Sequence, residues 1–260
     1  MNTALVVGNW KMNTNVSEAI KLASNIRDSL NRFSHDNVET VICPPFVSLV
    51  PVLDLVKGSS IKLGAQNSYS HANGAFTGEI SPSMLVDICE YVIIGHSERR
   101  HIINESNELI ANKIQAVLNC GLRPILCVGE TLDQRNHGDT EKVIRHQINT
   151  SLNNIRNKRD IEGLVIAYEP VWAIGTGVPA KPMSVVATIE GPIHGELTNL
   201  YNKHQARNIP ILYGGSVSPA NVSEYIQSPS IHGTLVGSAS LSPQLFSEIV
   251  KLTAEVKGLT

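Results

Sequence analysis

A glutamate that directly follows a short apolar run is the first candidate for acid–base chemistry in this sequence. The run, residues 164–168, is rich in β-branched side chains and predicts a buried strand with Glu169 at its carboxyl end. Pro170 then restricts the chain beside the carboxylate. The pattern predicts a catalytic base, although this segment alone is equally compatible with a structural glutamate in a buried loop.

The residues after Glu169 predict a lid. They are too apolar for an ordinary solvated loop, whereas a flap that closes over a substrate and expels water requires such a surface. Two glycines at its end supply backbone freedom and an exposed N–H group. The predicted lid comprises Pro170, Val171, Trp172, Ala173, Ile174, Gly175, Thr176 and Gly177.

Further polar or glycine-rich positions follow other short apolar runs. Asn9 and Lys11 come after residues 4–8, and His96 comes after residues 91–94. The glycine-rich turns 214–216 and 237–238 follow two later runs. Taken singly, these are ordinary features: a surface lysine, a helix-capping histidine and turn glycines.

Considered together, these groups match one kind of reaction. His96 precedes a predicted helix start, whose positive end disfavours imidazolium and keeps the ring neutral. A neutral imidazole can donate to a substrate oxygen, and glycine turns offer N–H groups to phosphate. Proton abstraction next to a carbonyl requires a base and groups that stabilise the resulting enediolate. The sequence offers a carboxylate base, an imidazole, an ammonium and a phosphate-binding site. This chemistry requires neither a metal ion nor a cofactor.

Eight apolar runs separated by helical patterns are the elements that must position these groups. Asn15 and Glu18 predict a capping box at the first helix, and Ser218-Pro219 and Ser242-Pro243 predict two late helix starts. The predicted strands are 4–8, 40–43, 61–65, 91–94, 124–128, 164–168, 209–213 and 234–236.

Strands that are apolar at consecutive positions and joined by helices predict a parallel sheet covered by helices. Eight such units predict a closed α/β barrel in one domain, residues 1–260, with its active site at the carboxyl ends of the strands. An open doubly wound sheet is the alternative, but it more often carries a glycine-rich turn after the first strand.

Composition narrows the class of protein. With 260 residues and 42% hydrophobic side chains, the chain can bury one large core. A net charge of −2 without long charged runs argues against nucleic-acid or membrane-surface partners, so a small molecule is the expected partner.

The cysteines form no metal-ligand pattern, so we expect them to be reduced and to serve in packing. No apolar run has the length of a membrane span or the pattern of a signal peptide. We therefore expect a soluble, unprocessed cytoplasmic protein. The four cysteines are Cys43, Cys89, Cys120 and Cys127.

Long motifs in a fixed order carry a family resemblance. They are Gly8-Asn9-Trp10-Lys11-Met12, Ala65-Gln66-Asn67, 74–80, Gly95-His96-Ser97-Glu98-Arg99-Arg100, Cys127-Val128-Gly129-Glu130, 167–177, Tyr213-Gly214-Gly215-Ser216 and Leu235-Val236-Gly237. From its first strand to its last helix the chain resembles the triosephosphate isomerase family, which implies a TIM barrel.

The resemblance implies interconversion of dihydroxyacetone phosphate and D-glyceraldehyde 3-phosphate, in glycolysis and gluconeogenesis, without a cofactor. Glu169 would move the carbon-bound proton, His96 would polarise the carbonyl, and Lys11 with Asn9 would hold developing charge. These roles match the pKa tuning and lid closure described for this enzyme in general accounts of catalysis. By the same resemblance, Tyr213 and Ser216 would latch the lid. The phosphate would bind N–H groups at Gly175, Ser216, Gly237 and Ser238.

The loop 74–79 is implied to form a homodimer contact through Thr77, Gly78 and Glu79, with Thr77 beside the partner's active site. Two positions depart from the family pattern. Ser238 stands where a second glycine is usual, and we expect phosphate binding to be retained. Gly191 and Pro192 predict a kink or break in an outer helix, because proline removes a backbone donor.

Two other functions remain open from the sequence. A different phosphosugar enzyme could use the same barrel, because fold does not determine function, but the lid sequence opposes this alternative. A non-catalytic binding protein derived from the enzyme would be expected to lack Lys11, His96 or Glu169, and all three are present.

Overall fold

The computed structural model describes residues 3–155 and 161–258 and contains eight parallel strands. Each predicted strand is present, and the observed bounds differ from the predicted ones by at most two residues. The strands are β1 (Ala4–Asn9), β2 (Val38–Cys43), β3 (Ile61–Ala65), β4 (Tyr91–Ile94), β5 (Arg123–Val128), β6 (Val165–Tyr168), β7 (Ile211–Tyr213) and β8 (Gly233–Val236).

The strands follow one another around a closed barrel, and β1 pairs in parallel with both β2 and β8. In the closing pair, Leu5 lies opposite Gly233 and Gly8 lies opposite Val236. The predicted (β/α)8 TIM barrel in a single domain is therefore confirmed, and the open doubly wound alternative is wrong. The carboxyl ends of all eight strands meet at one rim.

Helices surround the sheet and account for the helical patterns between the apolar runs. The α-helices are α1 (Val16–Leu30), α2 (Leu49–Val56), α3 (Ser97–His101), α4 (Asn107–Asn119), α5 (Leu132–Asn136), α6 (Thr140–Ser151), α7 (Pro182–Thr188), α8 (His194–Leu200), α9 (Lys203–Asn208), α10 (Val222–Ile226) and α11 (Pro243–Gly258).

Three of the four predicted helix starts are confirmed, including the one after His96, where α3 begins at Ser97. The Asn15 and Glu18 side chains each accept a backbone N–H of the other residue, which completes the capping box of α1. Pro243 is the first residue of α11, with the Ser242 hydroxyl at 3.4 Å from the Leu245 nitrogen. The start at Ser218 is wrong, because residues 219–221 form a turn and α10 begins at Val222.

Two apolar layers explain why the strands are apolar at consecutive positions. One set of side chains fills the barrel interior, for example Val7 and Ile93, and the other packs between the sheet and the helices, for example Val6 and Ile26. A strand that is buried on both faces needs apolar residues at both. Cys43, Cys89 and Cys127 are buried in these layers, and burial raises the pKa of the Cys89 thiol to about 12. These cysteines are therefore packing residues.

The outer helix that contains Gly191 and Pro192 is not a regular α-helix. Residues 189–193 form a π-helical turn between α7 and α8, with Pro192 inside it. The predicted interruption thus takes the form of a local change of helical pitch. None of the helices in residues 3–155 and 161–258 is long and apolar enough to cross a membrane.

Candidate active site

The candidate groups meet in a cavity of about 620 Å³ at the carboxyl ends of the strands. Lys11 follows β1, His96 follows β4 and Glu169 follows β6. The turns after β7 and β8 also line the cavity. Of the predicted site residues, the cavity is lined by Asn9, Lys11, His96, Glu169, Ile174, Gly175, Gly177, Ser216, Gly237 and Ser238.

Glu169 is a carboxylate held within the protein, with 3% of its surface exposed. Its Oε1 lies 3.1 Å from Nε2 of His96, and its Oε2 accepts the Ser97 N–H at 3.2 Å. Burial raises the pKa of Glu169, but the His96 ring, the Ser97 N–H and Lys11 together outweigh burial and lower it. Glu169 is therefore ionised at neutral pH, as a base must be.

The backbone of Glu169 is fixed by the neighbouring strand. The Glu169 N–H donates to the carbonyl of Val128 at 2.7 Å. Gly129 packs directly against the carbonyl group of Glu169. A side-chain amide on α6 holds Gly129 in turn: Gln147 accepts its N–H at 2.8 Å and donates to its carbonyl at 3.0 Å. Gln147 is a supporting residue that the sequence analysis missed, because no motif joins α6 to β5.

The two ring nitrogens of His96 have different partners: Nδ1 caps α3, and Nε2 contacts the Glu169 carboxylate. Nδ1 accepts the Glu98 N–H at 3.3 Å, so in the neutral ring the proton is on Nε2, where it can donate to Glu169. Burial lowers the pKa of His96, but the Glu169 carboxylate outweighs it and the net direction is upward. This direction differs from the one expected from the helix start alone, because the sequence does not reveal the contact with Glu169.

Lys11 has a left-handed backbone, with φ of 55°. The strain of this conformation is offset by local hydrogen bonds, because Oδ1 of Asn9 accepts its N–H at 3.0 Å and the Gln66 amide donates to its carbonyl at 2.8 Å. Its Nζ lies 2.5 Å from Oε1 of Glu98. Glu98 was quoted only within a motif, and its role as the counter-ion of Lys11 was missed.

The turns after β7 and β8 present backbone to the cavity. Ser238 begins a 3₁₀ turn, Ser238–Leu241, and its φ lies outside the left-handed region. The serine is therefore accommodated without the strain that a glycine-only position would impose. At the end of the lid, Gly175 and Gly177 have φ of 69° and 73°, which explains why glycines occupy these positions.

Side-chain contacts hold the first half of the predicted lid and the chain just beyond it. Trp172 donates through Nε1 to Oε1 of the buried Glu130 at 3.0 Å, and the Arg135 guanidinium carbon lies 4.6 Å from the indole centroid. The Ser216 hydroxyl donates to the Ala173 carbonyl at 3.0 Å. The Tyr213 hydroxyl accepts an N–H just beyond the predicted lid, that of Ala180, at 3.3 Å.

The described chain holds no group of three or more histidine, cysteine or acidic side chains that could bind a metal ion. The site therefore offers a buried carboxylate, an imidazole, an ammonium and backbone N–H groups. This set can remove a proton from carbon and stabilise the oxyanion that forms.

Comparison with known proteins agrees with this arrangement. A family model described as triosephosphate isomerase matches residues 4–253. A triosephosphate isomerase of Aquifex aeolicus is 48% identical over 251 residues, covering 95% of this chain and 98% of the relative. The triosephosphate isomerase of Dictyoglomus thermophilum is 46% identical and covers 96% of this chain and 100% of the relative. That of Dehalococcoides mccartyi is 42% identical and covers 99% of both chains. The chain belongs to the triosephosphate isomerase family.

Proposed function

We propose that the buried Glu169 is the base with which this chain carries out the reaction of its family. The chain is an isomerase that interconverts dihydroxyacetone phosphate and D-glyceraldehyde 3-phosphate through an enediolate. The observation that carries the assignment of the base is the position of its carboxylate, which is buried, ionised and directed into a cavity beside His96 and Lys11.

Each catalytic group has a separate task. Glu169 takes the proton from carbon and returns it to the neighbouring carbon. His96 donates through Nε2 to the substrate oxygen and moves protons between the two oxygens, while Lys11 places an ammonium near the developing negative charge. Asn9 supports this arrangement by accepting the Lys11 N–H through its Oδ1, and it lines the same cavity.

The phosphate of the substrate binds at the wall formed by the two glycine-rich turns and the end of the lid. Backbone N–H groups of Gly175, Ser216, Gly237 and Ser238 are the proposed donors, and all four residues line the cavity. Closure of residues 170–177 excludes water, which strengthens these interactions and protects the enediolate from loss of phosphate.

The functional unit is a homodimer that joins through the loop bearing Thr77, Gly78 and Glu79. Residues 71–79 are exposed, and a second cavity of about 440 Å³ next to Lys11 could receive the same loop of another copy. Large apolar side chains that line that cavity are exposed, including Met12 at 96%, Ile103 at 57% and Phe46 at 47%. We place this dimer in the cytoplasm, in glycolysis and gluconeogenesis, with residues 1–260 as one domain.

The test is a coupled assay of glyceraldehyde 3-phosphate isomerisation by the purified protein and its Glu169→Gln variant. The neutral amide keeps the shape of the side chain but cannot accept the proton, so kcat should fall by at least about 10²–10⁴-fold. Glu224→Gln is the matched control, because it removes an exposed carboxylate from α10 and should leave kcat unchanged. Equal turnover by wild type and Glu169→Gln would reject Glu169 as the base, and no turnover by folded wild-type protein would reject the reaction.

A further inference from the structure

A groove at the amino-terminal end of the barrel is unrelated to the reaction described above. It encloses about 780 Å³ and lies between α8, α9 and the residues that enter β8. Pro229, Ser230 and His232 line it just before β8 begins at Gly233, whereas the active-site cavity lies beyond the carboxyl ends of the strands. We call it the amino-terminal groove.

The charges that line the amino-terminal groove are mainly positive. Lys203 and Arg207 lie four residues apart on α9 and are exposed, while Glu190 is the one acidic residue among the described lining residues. Neither cation forms a salt bridge to a described carboxylate. Both charges are therefore available to an anion in the groove.

Two imidazole rings stand beside these cations. Nδ1 of His232 accepts the Ile211 N–H at 3.1 Å, so the neutral ring carries its proton on Nε2 and is a donor there. Nδ1 of His194 is buried and has no hydrogen-bond partner among the described residues. A ligand in the groove cannot reach this buried atom, so Nε2 is the nitrogen through which the His194 ring can contact it.

The neutral state of both rings follows from their surroundings. Burial, Lys257 and His194 lower the pKa of His232 to about 4. Burial and Arg207 also lower the pKa of His194, and Glu190 opposes them only in part. Both rings are therefore uncharged at neutral pH.

The π-helical turn of residues 189–193 forms part of the wall of the amino-terminal groove. Glu190 lies in the π-helical turn, and His194 is the first residue of α8 directly after it. Single π-helical turns within helices often occur at functional sites, because they move a side chain away from its regular helical position. The Gly191-Pro192 interruption, which the isomerase reaction does not use, therefore coincides with the wall of a cationic groove.

A metal ion does not fit this site, because the described residues contain no set of three possible metal ligands and the nearby charges are positive. Hydrogen-bond donors and cations that converge on one cavity suit a small oxyanion. We propose that the amino-terminal groove binds the phosphate group of a small molecule through Arg207, Lys203 and the imidazoles of His194 and His232. This site is separate from the substrate site and does not depend on the roles assigned there.

The probe is inorganic phosphate, titrated into the full-length protein while the histidine ring signals are followed by NMR. The His194 and His232 signals, assigned with the variants His194→Gln and His232→Gln, should shift and saturate. Arg207→Gln should weaken this binding about tenfold, which is about 1.4 kcal/mol, while leaving the KM for triose phosphate unchanged. Lys21→Gln removes an exposed positive charge from α1 and serves as the matched control, with no expected change.

Two further arms define the ligand. Methyl phosphate that binds more tightly than inorganic phosphate would identify a phosphate ester, and equal affinity would identify free phosphate. Sulfate stays dianionic between about pH 7.5 and about pH 5.5, so tighter sulfate binding at the lower pH would report uptake of protons by the imidazoles. The charged groups that face these rings are Glu190, Lys203, Arg207 and Lys257.

Either of two results would overturn the proposal. One is that neither histidine signal shifts with phosphate at concentrations that saturate the active site. The other is that both signals shift equally in wild type, Arg207→Gln and Lys21→Gln, because that pattern indicates ionic screening without a specific site.

Discussion

The close approach of Gly129 to Glu169 offers a way to displace the proposed base without changing any group that touches substrate. A Cβ atom at position 129 would lie 1.7 Å from the carbonyl oxygen of Glu169 and 2.5 Å from its carbonyl carbon. Contacts shorter than 3.0 Å do not occur at real Cβ atoms, so Gly129→Ala requires a displacement of at least about 1.3 Å. Gly129 does not have a left-handed backbone, so the clash is steric and not conformational.

The displacement should appear mainly at Glu169. Gly129 is pinned by two hydrogen bonds to the Gln147 amide, whereas the strand end that carries Glu169 leads into the lid. A shift of about 1 Å at a catalytic group can lower the rate by about 10²-fold. We therefore expect Gly129→Ala to lower kcat by roughly 10²-fold and to destabilise the fold by about 1–3 kcal/mol through overpacking.

The assay combines steady-state isomerisation kinetics with urea unfolding, and Gly191→Ala is the control. A Cβ at Gly191 meets nothing within 4 Å and the backbone there is not left-handed, so its kcat should match wild type. A folded Gly129→Ala variant with kcat within about threefold of wild type would refute the argument. If that variant does not fold, Gln147→Met tests the same support, because it removes both hydrogen bonds to Gly129 without adding atoms beside Glu169, and an unchanged kcat would count against it.

Three other predictions concern the dimer, the phosphate site and the pH profile. Thr77→Arg places a charge in the proposed contact and should give a weakly active monomer, whereas a fully active monomer by sedimentation and assay would remove the interface role. Ser238→Gly should change the affinity for a phosphate-bearing inhibitor by less than about tenfold, or about 1.4 kcal/mol, because Ser238 is not left-handed. His96→Gln removes the ring that lowers the pKa of Glu169 but leaves the burial that raises it, so the acid limb of kcat/KM should move to higher pH. An unmoved limb in that variant would show that Glu169 does not set it.

Much of the barrel could be predicted because the strands carry their own signal. Apolar runs such as Tyr91–Ile94 are buried on both faces, and that burial is visible as consecutive apolar residues. Lys11, His96 and Glu169 could be placed on one rim because each directly follows such a run. These positions depend only on local sequence and on the geometry of parallel strands.

Contacts between distant segments could not be predicted in the same way. The ion pair of Lys11 with Glu98 joins positions 87 residues apart, and the Gln147 amide reaches Gly129 from a different helix. The pKa direction of His96 depends on its contact with Glu169 across the barrel. The helix start at Ser218 was wrong because a Ser-Pro pair fits a turn as well as a helix, and Asn221 there accepts the Ser218 N–H at 2.9 Å.

The pairing of β1 with β8 has a consequence for how the protein acquires activity. The Ser240 hydroxyl lies 3.4 Å from the Asn9 carbonyl, although the two residues are 231 positions apart. The ammonium of Lys11 and the phosphate wall at Gly237 therefore come together only when the first and last strands meet. Such long-range pairing is slow to form, because the loop entropy is lost before the contact is gained. During refolding, the return of turnover should thus report ring closure and lag behind the return of helical signal.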